Sequence, residues 1–299
     1  MSSANWFLLL SLSVLWGGSF FFAKVAVAEI PPLTLALGRV AIAAAILGIV
    51  MRAIGILLPR DPSIWFALAG MGLLNNALPF TLIFWGQTHI SSGLASILNA
   101  TTPLFTVLVA HWATADDRLN LNRIFGLIIG FAGVIILIGP DFLFEIRTNI
   151  AAQIACLIGA FAYACAAGVY GRRFRGQNPM LVAFGQLTTA AAILLPIALI
   201  WDEPWTLAPS ISAFGALFGL ATISTALAYV LYFRILASAG ATNLLLVTFL
   251  IPVTAILLGT FILGEQLAPG HFAGMAAIAL GLAAIDGRVF KRVTIGRAA

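Results

Sequence analysis

Residues 92–112 read SGLASILNATTPLFTVLVAHW, and residues 241–261 read ATNLLLVTFLIPVTAILLGTF. Each stretch is apolar with a proline near its middle, and the two align when Pro103 is placed on Pro252, an offset of 149 residues. The same offset matches further residues, namely Phe80 with Tyr229, Phe84 with Phe233 and Asp116 with Glu265. We therefore predict that the chain is a duplicated half.

The prolines predict bends in the membrane helices. A proline inside a helix removes one backbone donor and frees the carbonyl four residues earlier, here Asn99 before Pro103 and Thr248 before Pro252. A single such proline is most often a packed kink. A kink that recurs in both copies favours function, because transporters built from inverted repeats place broken helices at their central site. We expect the helix-bending residues to be Pro79, Pro103 and Pro252.

The composition is that of an all-α integral membrane protein. Of the 299 residues, 62% are hydrophobic and 8% charged, and the mean hydropathy is +1.09. Residues 62–115 contain no Asp, Glu, Lys or Arg, so this run holds at least two spans of roughly 20 residues each. Turn signals and charges predict ten membrane helices, near 6–25, 32–51, 63–87, 92–113, 121–139, 150–171, 179–200, 210–236, 241–264 and 268–287.

The basic residues predict the orientation. With the N-terminus in the cytoplasm, twelve of the fifteen fall on the cytoplasmic side, while Lys24 and Arg147 fall opposite and Arg39 lies inside the second span. Both termini are therefore expected in the cytoplasm. Two copies of five helices must also run in opposite directions, so residues 1–148 and 149–299 are predicted to be two inverted five-helix repeats that permit alternating access.

Polar residues inside the spans predict a central site. Ser92, Ser96, Asn99, Pro103 and Thr106 follow one another at helical spacing and form one polar face of the fourth span. The third span holds Asn75 and Asn76 near mid-membrane, where amides are costly unless paired, and both a ligand-facing role and interhelical hydrogen bonding remain open. The eighth span repeats the pattern with Thr222, Thr225, Tyr229 and Tyr232.

The chain carries no motif for catalysis or cofactor binding. It has no phosphate loop, dinucleotide fingerprint, zinc pair or nucleophile elbow, so we expect no enzyme activity, no catalytic residue, no cofactor and no metal site. It also lacks a basic patch interleaved with aromatics, which argues against nucleic acid as a partner.

No carboxylate lies at mid-bilayer, and this favours facilitated or weakly coupled transport. Arg39, about seven residues into its span, is expected to snorkel to the membrane interface.

The motifs resemble a known family. The ten-helix exporters of the drug/metabolite transporter superfamily, whose halves are called EamA domains, share a WG start, proline-centred fourth and ninth helices and a GE turn. Here these are Trp16 with Gly17, Pro103 with Pro252, and Gly264 with Glu265. In the first half Ala115 and Asp116 replace the Gly-Glu pair. The resemblance implies a multi-pass inner-membrane carrier with a cavity lined by spans one, three, four, six, eight and nine.

The predicted function is export of small organic metabolites by alternating access, with aromatic or hydrophobic amino acids favoured. The alternatives are a multidrug/proton antiporter for hydrophobic compounds and a non-carrier pore. The expected partners are a small-molecule substrate and the lipid bilayer, and one chain is expected to suffice for transport, although the oligomeric state stays open. The predicted substrate-binding residues are Trp16, Asn75, Phe80, Ser96, Asn99, Tyr163, Thr222, Tyr229 and Thr248.

Overall fold

The computed structural model describes residues 2–113, 121–138, 148–170, 173–174, 176–239, 244, 247–267 and 269–286. Within these ranges the secondary structure is helical, without strands. The α-helices are α1 (Ser3–Ala26), α2 (Pro32–Ala53), α3 (Pro62–Gly72), α4 (Leu78–Gln87), α5 (Ser92–Asn99), α6 (Thr102–Ala113), α7 (Leu121–Ile138), α8 (Thr148–Tyr170), α9 (Pro179–Trp201), α10 (Ile211–Ala221), α11 (Ala228–Ala239), α12 (Val247–Leu263) and α13 (Pro269–Asp286). A π-helical turn joins α3 to α4 (Leu73–Ala77), another joins α10 to α11 (Thr222–Leu227), and a short 3₁₀ turn covers Pro204–Thr206.

Seven helical segments of the described ranges are long and apolar enough to cross a membrane. Three of them combine two helices each: α3 with α4, α5 with α6, and α10 with α11. Two shorter apolar helical stretches, Ile124–Ile136 and Leu250–Leu263, lie within α7 and α12. An all-helical membrane protein is therefore established, while the count of ten spans and the orientation of the termini stay predictions.

Glycines let helices approach closely at the crossings that surround the centre. A Cβ added to Gly17 in α1 would lie 2.9 Å from the carbonyl oxygen of Ile251 in α12. A Cβ added to Gly281 in α13 would lie 2.5 Å from the carbonyl oxygen of Gly126 in α7. Small residues permit such backbone contact between membrane helices.

Three carboxylates cap helices that belong to the other half of the chain. Glu265 accepts hydrogen bonds from the Ser92 N–H at 2.8 Å and from the Ser92 hydroxyl at 2.8 Å, at the start of α5. Asp202 accepts from the Thr34 N–H at 2.7 Å in the first turn of α2. Glu29 accepts from the Ser210 N–H at 2.6 Å just before α10. A carboxylate at a helix start satisfies free backbone donors and complements the positive end of the helix dipole.

These caps gather several connections at one end of the bundle. Glu29 joins residues 27–31 to Ser210, Asp202 joins residues 202–210 to the first turn of α2, and Glu265 joins residues 264–267 to the start of α5. Gly264, at a φ of +67°, takes the left-handed conformation that starts this turn. Lys24 closes the same end, because its Nζ donates to the carbonyl oxygens of Gln87 at 2.7 Å and Ile90 at 2.8 Å.

The three prolines occupy different settings. Pro103 lies in the first turn of α6, and the fourth span is interrupted at Ala100 and Thr101 between α5 and α6. Pro79 is the second residue after the π-helical turn Leu73–Ala77, and the Leu78 N–H between them donates to the Leu73 carbonyl five residues earlier. Pro252 lies inside the continuous helix α12. The two spans that align on Pro103 and Pro252 therefore differ in helical continuity.

Candidate functional site

A cavity of about 460 Å³ lies between the two halves of the chain. Eight of the nine residues predicted to bind substrate line it: Trp16, Asn75, Phe80, Ser96, Asn99, Tyr163, Tyr229 and Thr248. Thr222 does not line it, because its hydroxyl donates to the Phe218 carbonyl at 2.7 Å on its own helix. The next threonine on that face, Thr225, takes the place in the wall. The role of the nine predicted residues in binding substrate stays a prediction.

The interruption of the fourth span opens onto this cavity. Thr102 donates its hydroxyl to the Asn99 carbonyl at 2.7 Å, so the carbonyl freed by Pro103 has a partner on its own chain. Ser96 donates to the Gly93 carbonyl at 2.6 Å. The side-chain oxygen of Asn99 is buried and accepts no hydrogen bond from the described residues. The residue that lines the cavity at Asn99 therefore carries an unpaired amide acceptor.

The two π-helical turns also face the cavity. Leu73 and Thr222, where they begin, are related by the offset of 149 residues. A π-helical turn widens the helix locally and is common at functional sites. The turn Leu73–Ala77 places Asn75 in the wall, and the turn Thr222–Leu227 places Ser224 and Thr225 there. Neither turn was predicted from the sequence.

Four polar side chains form a network across the halves. The Nδ2 groups of Asn75 and Asn76 donate to Gln186 Oε1 at 2.9 Å and 3.2 Å. The Nε2 group of Gln186 donates in turn to the Tyr229 hydroxyl at 3.1 Å. Asn76 is fully buried, whereas Asn75 and Gln186 reach the cavity. The interhelical role left open for the two asparagines is thus present, and Asn75 combines it with a place in the wall.

Arg39 does not snorkel, so that prediction is wrong. The residue is 7% exposed and lines the cavity. Its Nε donates to the Thr225 hydroxyl at 2.9 Å, and its Cζ lies 3.8 Å from the centre of the Phe80 ring. Stacking on an aromatic face and a hydrogen bond hold the guanidinium in the centre of the protein, where both interactions are stronger than at the interface.

Aromatic rings form the apolar part of the wall. Phe80 and Phe84 are stacked with their centres 6.1 Å apart, and the equivalent pair Tyr229 and Phe233 is stacked at 5.9 Å. Trp16 adds a contact with Tyr232 at 5.7 Å. These faces suit an apolar or aromatic side chain of a ligand.

Spans two and seven contribute polar residues, Arg39 and Gln186, that were not predicted to line the cavity. Arg39 lies seven residues after Pro32, where α2 begins, and Gln186 lies seven residues after Pro179, where α9 begins. This shared spacing was the signal that could have found them. The predicted list of cavity spans was therefore incomplete, because it left out spans two and seven. Within the described ranges no three His, Cys, Asp or Glu side chains meet, so this part of the chain offers no group that could hold a metal ion.

The comparison with protein families decides the class of protein. The model of the EamA-like transporter family matches twice, over residues 4–139 and 150–285. The chain belongs to the EamA-like transporter family. It is a multi-pass transporter of the inner membrane, with the apolar helices that such a protein requires. A transporter family agrees with the expectation that the chain is not an enzyme.

Individual EamA relatives and one solved structure match over most of their length. The uncharacterized inner membrane transporter YedA of Escherichia coli strain K12 is 28% identical over 282 residues, covering 90% of this chain and 86% of YedA. A probable terminal-alkyne amino-acid exporter of Streptantibioticus cattleyicolor is 24% identical, covering 99% of this chain and 96% of the exporter. One crystal structure superposes with a TM-score of 0.68 at 19% identity, covering 95% of this chain and 98% of its own, which shows a shared fold.

Proposed function

We propose that this transporter exports small organic metabolites, with aromatic and hydrophobic amino acids favoured, by alternating access of the central cavity. The observation that carries the proposal is the wall of that cavity, which combines stacked aromatic rings with amides, hydroxyls and one guanidinium. A volume of about 460 Å³ falls within the range of sites for small ligands. The relative named as a probable amino-acid exporter supports the same substrate class.

The proposed arrangement is ten spans in two inverted repeats, residues 1–148 and 149–299, which would permit alternating access, and the connections support it. The first connection of the first half, 27–31, meets the second connection of the other half, 202–210. The start of α5, after the third connection of the first half, meets the fourth connection of the second half. Successive connections alternate between the two sides of the membrane. Here odd-numbered connections of the first half lie beside even-numbered connections of the second half, which is the pattern of inverted repeats. Two halves in the same orientation would bring odd-numbered connections together. The distribution of basic residues supports a cytoplasmic position for both termini.

The three carboxylate caps identify the contacts that must break during transport. Glu29, Asp202 and Glu265 each join one half to a helix start of the other half, all at the same end of the bundle. Rocking of one half against the other would separate these groups and open the cavity to that end. With the termini in the cytoplasm, this end faces away from the cytoplasm, which is the direction of export.

The cavity supports transport with little or no coupling to protons. Among the described lining residues there is no Asp or Glu, whereas proton-coupled pumps often keep such a group at mid-membrane. One chain supplies the described wall, so a single subunit is proposed to suffice. An amino-acid flux into liposomes that disappears without an imposed proton gradient would contradict the uncoupled mechanism.

The test of the proposed function is efflux of a radiolabelled amino-acid panel from liposomes that contain the purified protein. Saturable efflux with mutual competition is expected, while a non-saturable flux would indicate a pore. The variant Asn99→Ala removes the unpaired acceptor in the wall and should lower transport about fivefold, in line with one lost hydrogen bond of roughly 1 kcal/mol.

A control for this variant lies in the same span. Thr106 belongs to the same polar face as Asn99, but its hydroxyl donates to the Thr102 carbonyl at 2.9 Å and it does not line the cavity. Thr106→Ala should therefore transport at the parental rate. Equal rates for Asn99→Ala and the parent, at equal expression, would make the polar face structural and remove Asn99 from the site.

A further inference from the structure

Arg39 is a charged group enclosed by the protein. It lies seven residues into α2, about 10 Å of helix from its first residue, and is 7% exposed. A charge at such a depth in a membrane span is costly unless it faces a polar cavity or a partner. Arg39 faces the cavity, so its charge is directed to whatever the cavity holds.

Its present contacts use one edge of the guanidinium. Thr225 donates its own hydroxyl proton to the Leu220 carbonyl at 2.8 Å, and therefore accepts from Arg39 Nε at 2.9 Å. The Phe80 ring covers one face of the group at 3.8 Å, and Phe84 lies further along at 5.8 Å. The two terminal amino groups donate no hydrogen bond to a residue that the structure describes. These two amino groups are the fork of donors with which an arginine binds a carboxylate in a bidentate manner. The contacts at Nε and at the ring face thus hold the guanidinium in position while these donors stay unused.

No opposite charge in the described wall neutralises Arg39. The lining residues on the helices around it include no Asp or Glu. The ionisable side chains that face it are the hydroxyls of Tyr163 and Tyr229, which are neutral at pH 7. An uncompensated buried charge is strongly unfavourable, and a bound anion would remove that cost.

The acceptors that could receive a substrate ammonium are neutral. Gln87 donates its Nε2 group to the Phe20 carbonyl at 2.8 Å, and this fixes the amide so that Oε1 is the free acceptor. Neither Gln87 Oε1 nor Asn99 Oδ1, both in buried positions, has a hydrogen-bond partner among the described residues. A hydrogen bond to a neutral acceptor contributes less than a pairing of opposite charges.

We propose that Arg39 binds the carboxylate of the substrate and makes the cavity selective for hydrophobic monocarboxylates, whether or not these carry an amino group. This assignment rests on the proposed transport function and names the chemistry of its substrate. The carboxylate is the required group, the aromatic wall holds the apolar side chain, and the ammonium of an amino acid is dispensable. Organic cations are excluded, because a like charge would be brought to an unneutralised arginine.

The experiment uses three probes that share a phenyl ring: phenylalanine, 3-phenylpropionate and 2-phenylethylamine. Their binding to the purified protein can be followed by intrinsic fluorescence, since Trp16 lines the cavity, and their transport by efflux from liposomes. Phenylalanine and 3-phenylpropionate are expected to bind and to compete with each other. 2-Phenylethylamine, which lacks the carboxylate, is expected not to compete.

The variants test the residue itself. Arg39→Gln should weaken binding of both acids by about 10- to 100-fold, the loss expected for charge-assisted hydrogen bonds. Arg39→Lys keeps the charge without the fork and should lie between Arg39→Gln and the parent. The matched control is Arg52→Gln on the same helix, an exposed arginine outside the cavity wall that should bind like the parent.

The outcomes separate this inference from the proposed function. Efflux of none of the probes and none of the amino-acid panel by the parent protein would overturn the transport function itself. Transport by the parent with the amine bound as tightly as the acids, or with Arg39→Gln and Arg39→Lys unchanged, would overturn the carboxylate site while leaving transport intact. If a variant fails to fold, the parent's discrimination between the acid and the amine still decides.

Discussion

Arg39 and Gln186 occupy equivalent places in the two halves and have different chemistry. Each lies seven residues after the proline that begins its helix, in α2 and α9. Each contacts an aromatic ring of its own half, Phe80 for Arg39 and Tyr229 for Gln186. Each also reaches the π-helical turn of the other half, where Arg39 binds Thr225 and Gln186 binds the residue equivalent to it, Asn76.

The different hydrogen bonding of the two residues assigns Gln186 to the support of the fold and Arg39 to the binding of a ligand. Gln186 makes three hydrogen bonds, two accepted and one donated, so its polar atoms are occupied within the protein. Arg39 donates a single hydrogen bond to the described residues and leaves its fork toward the cavity. A symmetric scaffold thereby holds an asymmetric site, as a substrate with one charged end requires. Variants at these two positions and at their partners test this division.

The largest effect on folding is expected at Gln186. Gln186→Leu leaves the amide donors of Asn75 and Asn76 without their acceptor, and a buried polar group without a partner costs about 1–3 kcal/mol. We expect the free energy of unfolding to fall by about 2 kcal/mol. Thermal unfolding of the purified protein would measure it. Arg39→Gln is the counterpart: it loses one hydrogen bond but also removes an unneutralised buried charge, so it should not unfold below the parent temperature. Equal losses of stability in both variants would contradict the division between a supporting Gln186 and a binding Arg39.

The next effect concerns the support of Arg39. Thr225→Val keeps the shape of the side chain and removes the acceptor of the Nε hydrogen bond. The guanidinium then loses its fixed position, and the KM for phenylalanine should rise about three- to tenfold, in proportion to one hydrogen bond. Thr222→Val is the matched control in the same π-helical turn, because Thr222 does not line the cavity. A larger rise in the control would show that the turn, and not the arginine, sets the KM.

A smaller effect is expected from making the two aromatic pairs alike. Tyr229→Phe removes the hydroxyl that accepts from Gln186 and keeps the stacking on Phe233. Hydrogen bonds between membrane helices contribute about 0.6 kcal/mol on average, so the stability should fall by about that amount. Tyr232→Phe, whose hydroxyl donates to no described residue, should fall less. A loss of several kcal/mol for Tyr229→Phe would place Tyr229 among the main supports of the fold.

The smallest effect lies outside the cavity and gives the baseline for the others. Hydrogen bonds from the Ser210 N–H and hydroxyl hold the pKa of Glu29 below its ordinary value of 4.5. A depressed carboxyl pKa stabilises the folded state above the ordinary pKa and loses this effect as the pH falls through the folded pKa. Glu29 should therefore stay ionised from pH 8 to pH 5.5, and its contribution to the free energy of unfolding should not change over this range. Glu29→Gln should parallel the parent over this range, and a divergence between pH 8 and pH 5.5 would contradict the shift.

Part of the site could be predicted because helical spacing is local. Ser96 and Asn99 lie on one face of a helix whatever packs against it, and both line the cavity. Arg39 was misjudged because depth in a span does not state which neighbour faces the side chain. Phe80 and Thr225, which hold it, come from elsewhere in the chain. Thr222 was misplaced because the π-helical turn shifts which threonine faces inward.

Local sequence patterns were sufficient to predict an all-helical membrane protein made of two related halves. Apolar length, helical period and the repeated prolines are properties of short stretches, and the bilayer allows those stretches few structures. The tertiary structure was needed to tell which of the two equivalent positions faces the cavity with unused donors and which one stabilises the contact between the halves. Arg39 and Gln186 share a place in the repeat, but the number of polar partners that surround each depends on the packing of both halves, and this number is encoded in neither helix alone.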